Sequence, residues 1–199
     1  MDREAWDRRY AEAERVWSAG PNQFVEAEAA ELPPGRALDL AAGEGRNALW
    51  LAERGWQVLA VDFSRVALDR GRREAEARGL TLDFVQADLT RWKPAPAAHD
   101  LVLLVYLHLP WPAMVPVVRG AAEAVAPGGT LLVVAHDLDN LRNGHGGPQD
   151  PDVLYTPDQV VAELAGLEIG RAETVERRVQ TPEGEQIALD ALVRASRPR

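Results

Sequence analysis

The sequence predicts an α/β fold: a seven-stranded, mostly parallel sheet with helices on both faces and an antiparallel hairpin at the C-terminal end. Three observations predict it. Short apolar runs alternate with helical patterns from residue 36 to residue 137, as in parallel strands joined by right-handed crossovers. A glycine-rich turn, Gly43-x-Gly45-x-x-Ala48, directly follows the first of these runs, and an acid, Asp62, comes about twenty positions later. Near the end, "TPEGE" separates two further runs, which is a hairpin signal and forces one strand to run antiparallel.

Taken in order, residues 2–18 read as a helix with Trp6, Tyr10 and Trp17 roughly on one side. "GPN" at 20–22 breaks it, and a second helix over 23–31 stops at "LPPG", 32–35. A buried strand over 36–42 is followed by a helix over 45–55 that ends in glycine, then a strand over 56–63. Ser64 caps a helix that runs to about Arg78, with Gly79 ending it. Strands follow at 80–88 and 99–107, with Pro94 and Pro96 in the loop between them. A helix reaches about Val125, and "PGGTLLVVAHD" makes a turn and a fifth strand over 127–137. Thr156-Pro157 starts a helix over 156–166, proline being suited to the first helical position. Strands at 168–180 and 185–195 close the chain.

No internal repeat or linker divides the chain, so residues 1–199 read as one domain. Within it, 1–35 form a helical cap, 36–137 a cofactor-binding core, 138–155 a candidate lid, and 156–199 a helix and hairpin. Residues 138–155 read as irregular and are rich in Gly, Asn, Asp and Pro. A connection this long without structure of its own is usually functional or disordered. The glycines of "GHGGP" allow a hinge, while Leu138, Leu141, Val153, Leu154 and Tyr155 offer apolar anchors.

Bulk properties narrow the function. At 199 residues the chain can bury a sizeable core, and 46% hydrophobic with 27% charged residues is ordinary for a globular protein. No apolar run approaches the roughly 18 residues of a membrane span, and the N-terminal segment has no apolar signal core. A cytoplasmic protein without membrane contact is expected. With no cysteine there is no disulfide, thiolate catalysis or zinc–sulfur site. A net charge of −9 argues against nucleic acid as a partner. The one basic run, "RGRRE" at 70–74, is interleaved with acids and reads as a solvated helix face.

In an open parallel sheet the ligand lies beyond the carboxyl ends of the central strands, where the 41–45 turn must be. Gly43 and Gly45 let the backbone approach a ligand closely. Asp62, at the end of the next strand, can accept from both ribose hydroxyls. These features fit any adenosine cofactor. Asp39, inside the first strand, separates the candidates: it would repel a pyrophosphate but suits the ammonium and sulfonium of S-adenosylmethionine. Asp88 ends the third strand, where it can accept from an adenine amino group. A dehydrogenase Tyr-x-x-x-Lys pair is excluded, because Lys93 is the single lysine.

Along nearly its whole length the chain resembles class I S-adenosylmethionine-dependent methyltransferases, and most of all small bacterial enzymes of the tellurite-resistance and thiopurine methyltransferase type. "LDLAAGEGRNALWLAERG" looks like their first motif with its helix, "VDFS" and "QADL" like the second and third cofactor motifs, and "WDRRY" like the N-terminal segment that folds over the cofactor. The resemblance implies a Rossmann-like fold, S-adenosylmethionine as cofactor, and cofactor contacts from Tyr10, Asp39, Ala41, Gly43, Arg46, Asp62, Phe63, Asp88 and Leu89. Arg46 and Asn47 can also simply start the helix, and Arg9 beside Tyr10 is a further candidate for the methionine carboxylate. One departure is that Ala41 stands where the family has its first glycine, so a methyl group narrows the pocket.

His108 and Tyr106 lie just past the fourth strand, where an acceptor meets the methyl group, and His136-Asp137 ends the fifth strand at the same edge. His99 reads as a surface residue. Arg177 and Arg178 start the last hairpin; in the resembled family, basic residues of this region can line the mouth of the site. The spacing of His136, Asp137, Asp139 and His145 matches no metal motif, so no metal is expected. The expected reaction is in-line methyl transfer to a small-molecule nucleophile, positioned by the protein and shielded from water. A soft acceptor needs no base; a hydroxyl or protonated amine does, and His108 or His136 would supply it. The alternatives are a non-catalytic S-adenosylmethionine-binding module and, further off, an NAD-dependent oxidoreductase. The oligomeric state is left open.

Overall fold

The computed structural model describes residues 3–12 and 20–199. Seven strands lie in one sheet in the order β3-β2-β1-β4-β5-β7-β6. They are β1 (Arg36–Leu40), β2 (Gln57–Asp62), β3 (Asp83–Gln86), β4 (His99–Val105), β5 (Val125–His136), β6 (Glu168–Thr181) and β7 (Gly184–Ser196). β7 runs antiparallel to both its neighbours, and every other pairing is parallel. The strand order reverses between β1 and β4, and a ligand crevice forms at such a reversal.

Helices α1 (Arg3–Glu12), α2 (Gln23–Ala29), α3 (Arg46–Glu53), α4 (Arg65–Ala77), α5 (Trp111–Ala124), α6 (Asn140–Asn143) and α7 (Pro157–Val161) complete the chain. Trp17 and the second half of the helix expected over 2–18 lie outside the described residues. Alternation along each strand builds two cores. Leu38, Leu40, Val102, Leu104, Leu131 and Val133 pack on one side with Met114, Val118 and Ala121 of α5. Ala37, Val58, Ala60, Leu101, Leu103, Leu132 and Val134 pack on the other with Trp50 and Leu51 of α3 and Val25 of α2. Each fully buried large aliphatic side chain contributes about 1.5–3 kcal/mol. Asp39 belongs to this second face by register, flanked by buried residues.

Several element ends differ from expectation, each for a local reason. β1 stops at Leu40 because Ala41 already takes a left-handed backbone, φ 58°. β3 starts at Asp83, since the Leu80 N–H is spent on Ala75 O in closing α4. α7 ends at Val161 rather than 166, where Glu163 and Leu164 tighten to i→i−3 bonds. Residues 138–155 are not wholly irregular: they hold α6 and a single tight turn, Pro151–Val153. The Ser64 cap is present, its Oγ accepting from Ala67 N–H at 3.1 Å, and Thr156 with Gln159 forms a full capping box. No helix of the described residues is long and apolar enough to cross a membrane.

"RGRRE" is only partly a solvated face. Arg70 pairs with Glu44 of the glycine-rich turn at 2.9 Å, and Arg72 donates to Phe84 O while its guanidinium lies over the Phe84 ring. Between these two arginines, Gly71 lies against the same turn. A Cβ there would sit 2.9 Å from Glu44 O and 2.7 Å from the Phe84 ring. Helix propensity alone favours Gly71→Ala by about 1 kcal/mol. The backbone contact reverses the sign, and a net loss of about 1–3 kcal/mol is expected. Thermal unfolding should show Tm lowered by several degrees; an unchanged or raised Tm would refute the close approach.

Candidate active site

The cofactor half of the site is built by the β1–α3 turn. Ala41, Gly43 and Gly45 all have positive φ, 58°, 57° and 79°. This path is easy for glycine and costs an alanine of order 1–3 kcal/mol. The reversal is fastened to β2. Gly43 N–H donates to Asp62 Oδ2 at 2.8 Å, and Ser64 N–H donates to Asp62 Oδ1 at 2.8 Å. Burial raises the Asp62 carboxyl, while the Ser64 and Gly43 N–H groups pull it back. Each carboxylate oxygen has two lone pairs, so one on each remains for a further donor. That is what a pair of ribose hydroxyls requires.

Asp39 lies below the same turn. It is 1% exposed, and neither carboxylate oxygen has a hydrogen-bond partner. Burial raises its pKa to about 7; the charge of Arg46 and the Ala48 N–H offset only part of this. Because Arg46 and the Ala48 N–H offset only part of the burial cost, a further cation at the carboxylate would stabilise its ionised form. Its position fits the ammonium of S-adenosylmethionine. Arg46, at the start of α3, has a pKa lowered by burial, with Tyr106 and Asp39 acting in the opposite sense. Asn47 takes a structural role: its Oδ1 accepts from Asn22 N–H at 2.9 Å and so fixes the start of α2.

Helix α1 covers this half. Tyr10 is buried and stacked on Trp6 at 5.6 Å, Arg9 lies over the Trp6 ring, and Ser64 Oγ donates to Asp7 at 2.5 Å. Phe63 is half-buried next to Asp62, and Leu89 packs on the core. Asp88 is exposed and caps its own turn, Oδ1 accepting from Thr90 N–H and Thr90 Oγ1; these bonds lower its pKa.

The acceptor half gathers at the ends of β4 and β5. Tyr106 takes a left-handed backbone, φ 56°, and its hydroxyl donates to Asp190 Oδ2 at 2.6 Å. Arg177 Nε donates to the same oxygen at 2.6 Å, with the guanidinium over the Tyr106 ring. His136 Nδ1 stands 3.2 Å from Asp190 Oδ1, within ion-pair range but off good hydrogen-bond geometry. His108 and His136 stack, ring centroids 5.3 Å apart. His108 Nδ1 donates to Val153 O at 3.0 Å, which fixes the tautomer and leaves Nε2 as a bare lone pair. Burial lowers the His108 pKa to about 4. Burial pushes Asp190 up, yet His136, Arg177 and Tyr106 outweigh it and hold the carboxyl below its usual value.

Four expectations need correction. Arg178 is not at the site: it points to the opposite face of β6 from Arg177 and pairs with Glu185 at 3.1 Å. Both arginines lie within β6 rather than at its start. Asp137 is buried and committed to structure, accepting from Asp139 N–H and Thr174 Oγ1. His99 is half-buried, with its Nδ1 enclosed, rather than a surface residue. Sequence reasoning missed Asp190, the acid at the centre of the acceptor half. The signal was present, because "IALDALV" sets an acid in an apolar strand just as "ALDLAA" does.

Comparison with known proteins agrees with this geometry. Residues 37–129 match the methyltransferase domain family. Demethylmenaquinone methyltransferase of Thermus thermophilus is 37% identical over 108 residues, 53% of this chain and 49% of that protein. tRNA 5-carboxymethoxyuridine methyltransferase of Escherichia coli is 32% identical over 112 residues, 53% and 42% of the two chains. The chain thus spans about half the length of the curated relatives it matches. TehB of Haemophilus influenzae shares the fold with a TM-score of 0.76 at 16% identity, over 98% of this chain and 66% of that one. Residues 37–129 are thus similar to methyltransferase domains, strand order and turn are those of a Rossmann-like fold, and this likeness implies S-adenosylmethionine as the cofactor.

If Asp39 is the counter-charge of the cofactor amine, affinity depends on pH. Asp39 pairs with an ammonium only when ionised, and the cofactor amine stays charged up to about pH 7.7. Affinity for S-adenosylhomocysteine should therefore rise from pH 5.5 to 7.5, through the Asp39 pKa of about 7. The stability of the free protein should change in the opposite direction. With its folded pKa above the unfolded 3.8, the native state holds the extra proton, so stability declines as pH rises from about 4 to 7. Calorimetry at several pH values, with Asp39→Asn alongside, checks this. A pH-independent affinity in the wild type would remove Asp39 from the cofactor site.

Proposed function

We propose that this chain transfers the methyl group of S-adenosylmethionine to a small-molecule nucleophile held against Tyr106, His108, His136 and Arg177. The observation that carries the reading is the buried, partnerless carboxylate of Asp39 beside the β1–α3 turn. Bound S-adenosylmethionine would supply a methyl group already activated by its sulfonium charge. The residues present do the rest. Asp39 holds the ammonium, Asp62 the ribose hydroxyls, and Arg46 is near enough to Asp39 to serve the methionine carboxylate. Tyr10 closes over them, and Phe63, Asp88 and Leu89 border the adenine side. Positioning of this kind supplies roughly 7–11 kcal/mol to a displacement reaction.

Relatives named for tRNA methylation make nucleic acid the competing acceptor. The charge of −9 speaks against it, since a polyanion needs a basic surface. So does the site itself, where Arg177 is spent on Asp190.

We further infer that residues 138–155 act as a lid. Gly147 lies on the His136 ring, where a Cβ would come within 2.9 Å, and Val153 O accepts from His108. The segment is pinned at both ends. Asn140 Oδ1 accepts from Leu189 N–H at 2.7 Å, and Tyr155 OH donates to Leu107 O at 2.5 Å. Closure over the histidines excludes water, which would otherwise compete with the acceptor.

The test is labelled-methyl transfer to a panel of phenols, alcohols, thiols, carboxylates, metalloid oxyanions and transfer RNA. A companion protein carries a Gly-Ser linker in place of 140–150. Transfer to a small molecule, reduced at least tenfold in the linker protein with S-adenosylhomocysteine affinity kept within threefold, is expected. Transfer confined to RNA would overturn the small-molecule reading. Full turnover in the linker protein would overturn the lid.

A further inference from the structure

Six buried side-chain polar atoms among the described residues have no hydrogen-bond partner: both oxygens of Asp39, and one atom each of His99, His108, His136 and Asp190. Five of the six lie at the carboxyl edge of the sheet. The cofactor accounts for Asp39. His136 Nδ1 and Asp190 Oδ1 face each other at 3.2 Å. His108 Nε2 is left over, and it is an acceptor without a donor.

We propose that the methyl acceptor is a neutral hydroxyl compound whose O–H donates to Nε2 of His108. This rests on the methyltransferase reading and deepens it. The tautomer is set by geometry, because Nδ1 already donates to Val153 O, so Nε2 can only accept. The rings around it are Tyr106 at 6.3 Å, His136 at 5.3 Å and Tyr155 at 6.1 Å, which suit a flat or apolar body attached to the hydroxyl.

The charge balance of the site points the same way. Arg177 is paired with Asp190, and Arg46 lies beside Asp39. An anionic acceptor, thiolate or metalloid oxyanion, would meet a bare lone pair and cations already compensated by acids. An ammonium has no lone pair with which to accept a methyl group. A hydroxyl satisfies Nε2 and keeps its own lone pair for the reaction.

The step balances. As the acceptor oxygen forms its bond to the methyl carbon, the carbon–sulfur bond breaks and its electron pair stays on sulfur. The O–H bond breaks, and the proton passes to Nε2. His108 is a weak base, with a pKa of about 4. That suffices here, because the hydroxyl proton becomes strongly acidic as the new bond places positive charge on oxygen. The imidazolium then gains from the nearby Asp190 carboxylate, which acts to raise the His108 pKa. In the closed structure Nε2 is sealed from solvent, so the acceptor reaches it when the Gly146–Gly147 turn lifts off the His136 ring while Val153 O stays on Nδ1.

The experiment is long-range nitrogen–proton NMR of the histidine-labelled protein, saturated with S-adenosylhomocysteine. The probes are 4-methylphenol, benzyl alcohol, thiophenolate and tellurite. At pH 7 His108 should be neutral, with its proton on Nδ1. The two hydroxyl probes should shift Nε2 saturably and the two anions should not. His108→Gln should abolish that response and slow transfer to a hydroxyl acceptor at least a hundredfold, with S-adenosylhomocysteine affinity unchanged within twofold. A proton on Nε2, a response to the anions alone, or no response to either hydroxyl probe would overturn the assignment. Failure to bind S-adenosylhomocysteine would instead overturn the methyltransferase reading beneath it.

Discussion

The hydrogen bond from Gly43 N–H to the Asp62 carboxylate, 2.8 Å long, ties the turn after β1 to the end of β2. The rest of the site hangs on it. It holds a three-point left-handed path through Ala41, Gly43 and Gly45, and that path ends β1 just beyond Asp39. α3 therefore starts directly over the acid, which brings Arg46 and Ala48 to it. The same carboxylate accepts from Ser64 N–H, which sets the start of α4 and, through Ser64 Oγ, the docking of α1. One buried acid thus joins two strands and three helices around the glycine-rich turn. The strained backbone at Ala41 is tolerated because these contacts fix it from both sides.

A second buried acid organises the acceptor half. Asp190, 0% exposed, gathers Tyr106 from just past β4, His136 from β5 and Arg177 from β6. The β6–β7 hairpin overhangs the end of β5, where His136 pairs in register with Asp190. The antiparallel strand therefore does more than close the sheet: it carries the counter-charge for a half-buried arginine and a half-buried tyrosine hydroxyl. Removing one partner of such a buried set leaves the others uncompensated, at a cost of order 3–5 kcal/mol.

Much of this was legible in the sequence. The alternation of apolar runs and helical patterns marked the first five strands, because parallel strands and their crossover helices are local, periodic signals, and the "TPEGE" turn marked the last two. Ser64 and Thr156-Pro157 marked helix starts for the same reason. Asp39 and Asp62 stood out as acids in or at the end of apolar strands. The parts that were not legible depend on contacts distant in sequence. Arg177 and Arg178 look equivalent on paper, and the strand pleat alone sends one to Asp190 and the other to Glu185. Asp137 looks like a site residue until Thr174, 37 residues away, claims its second oxygen. The segment 138–155 reads as loose because its anchors, Asn140 to Leu189 and Tyr155 to Leu107, join residues 48 or 49 apart.

The central claim is that the unpaired carboxylate of Asp39 is the cofactor's counter-charge. The most direct test is carbon-13 NMR of the aspartate carboxyls, titrated with and without S-adenosylhomocysteine. The account predicts that Asp39 titrates near pH 7 in the free protein and that its pKa falls well below that once the ammonium is bound. An Asp39 resonance that titrates identically in both states would contradict it.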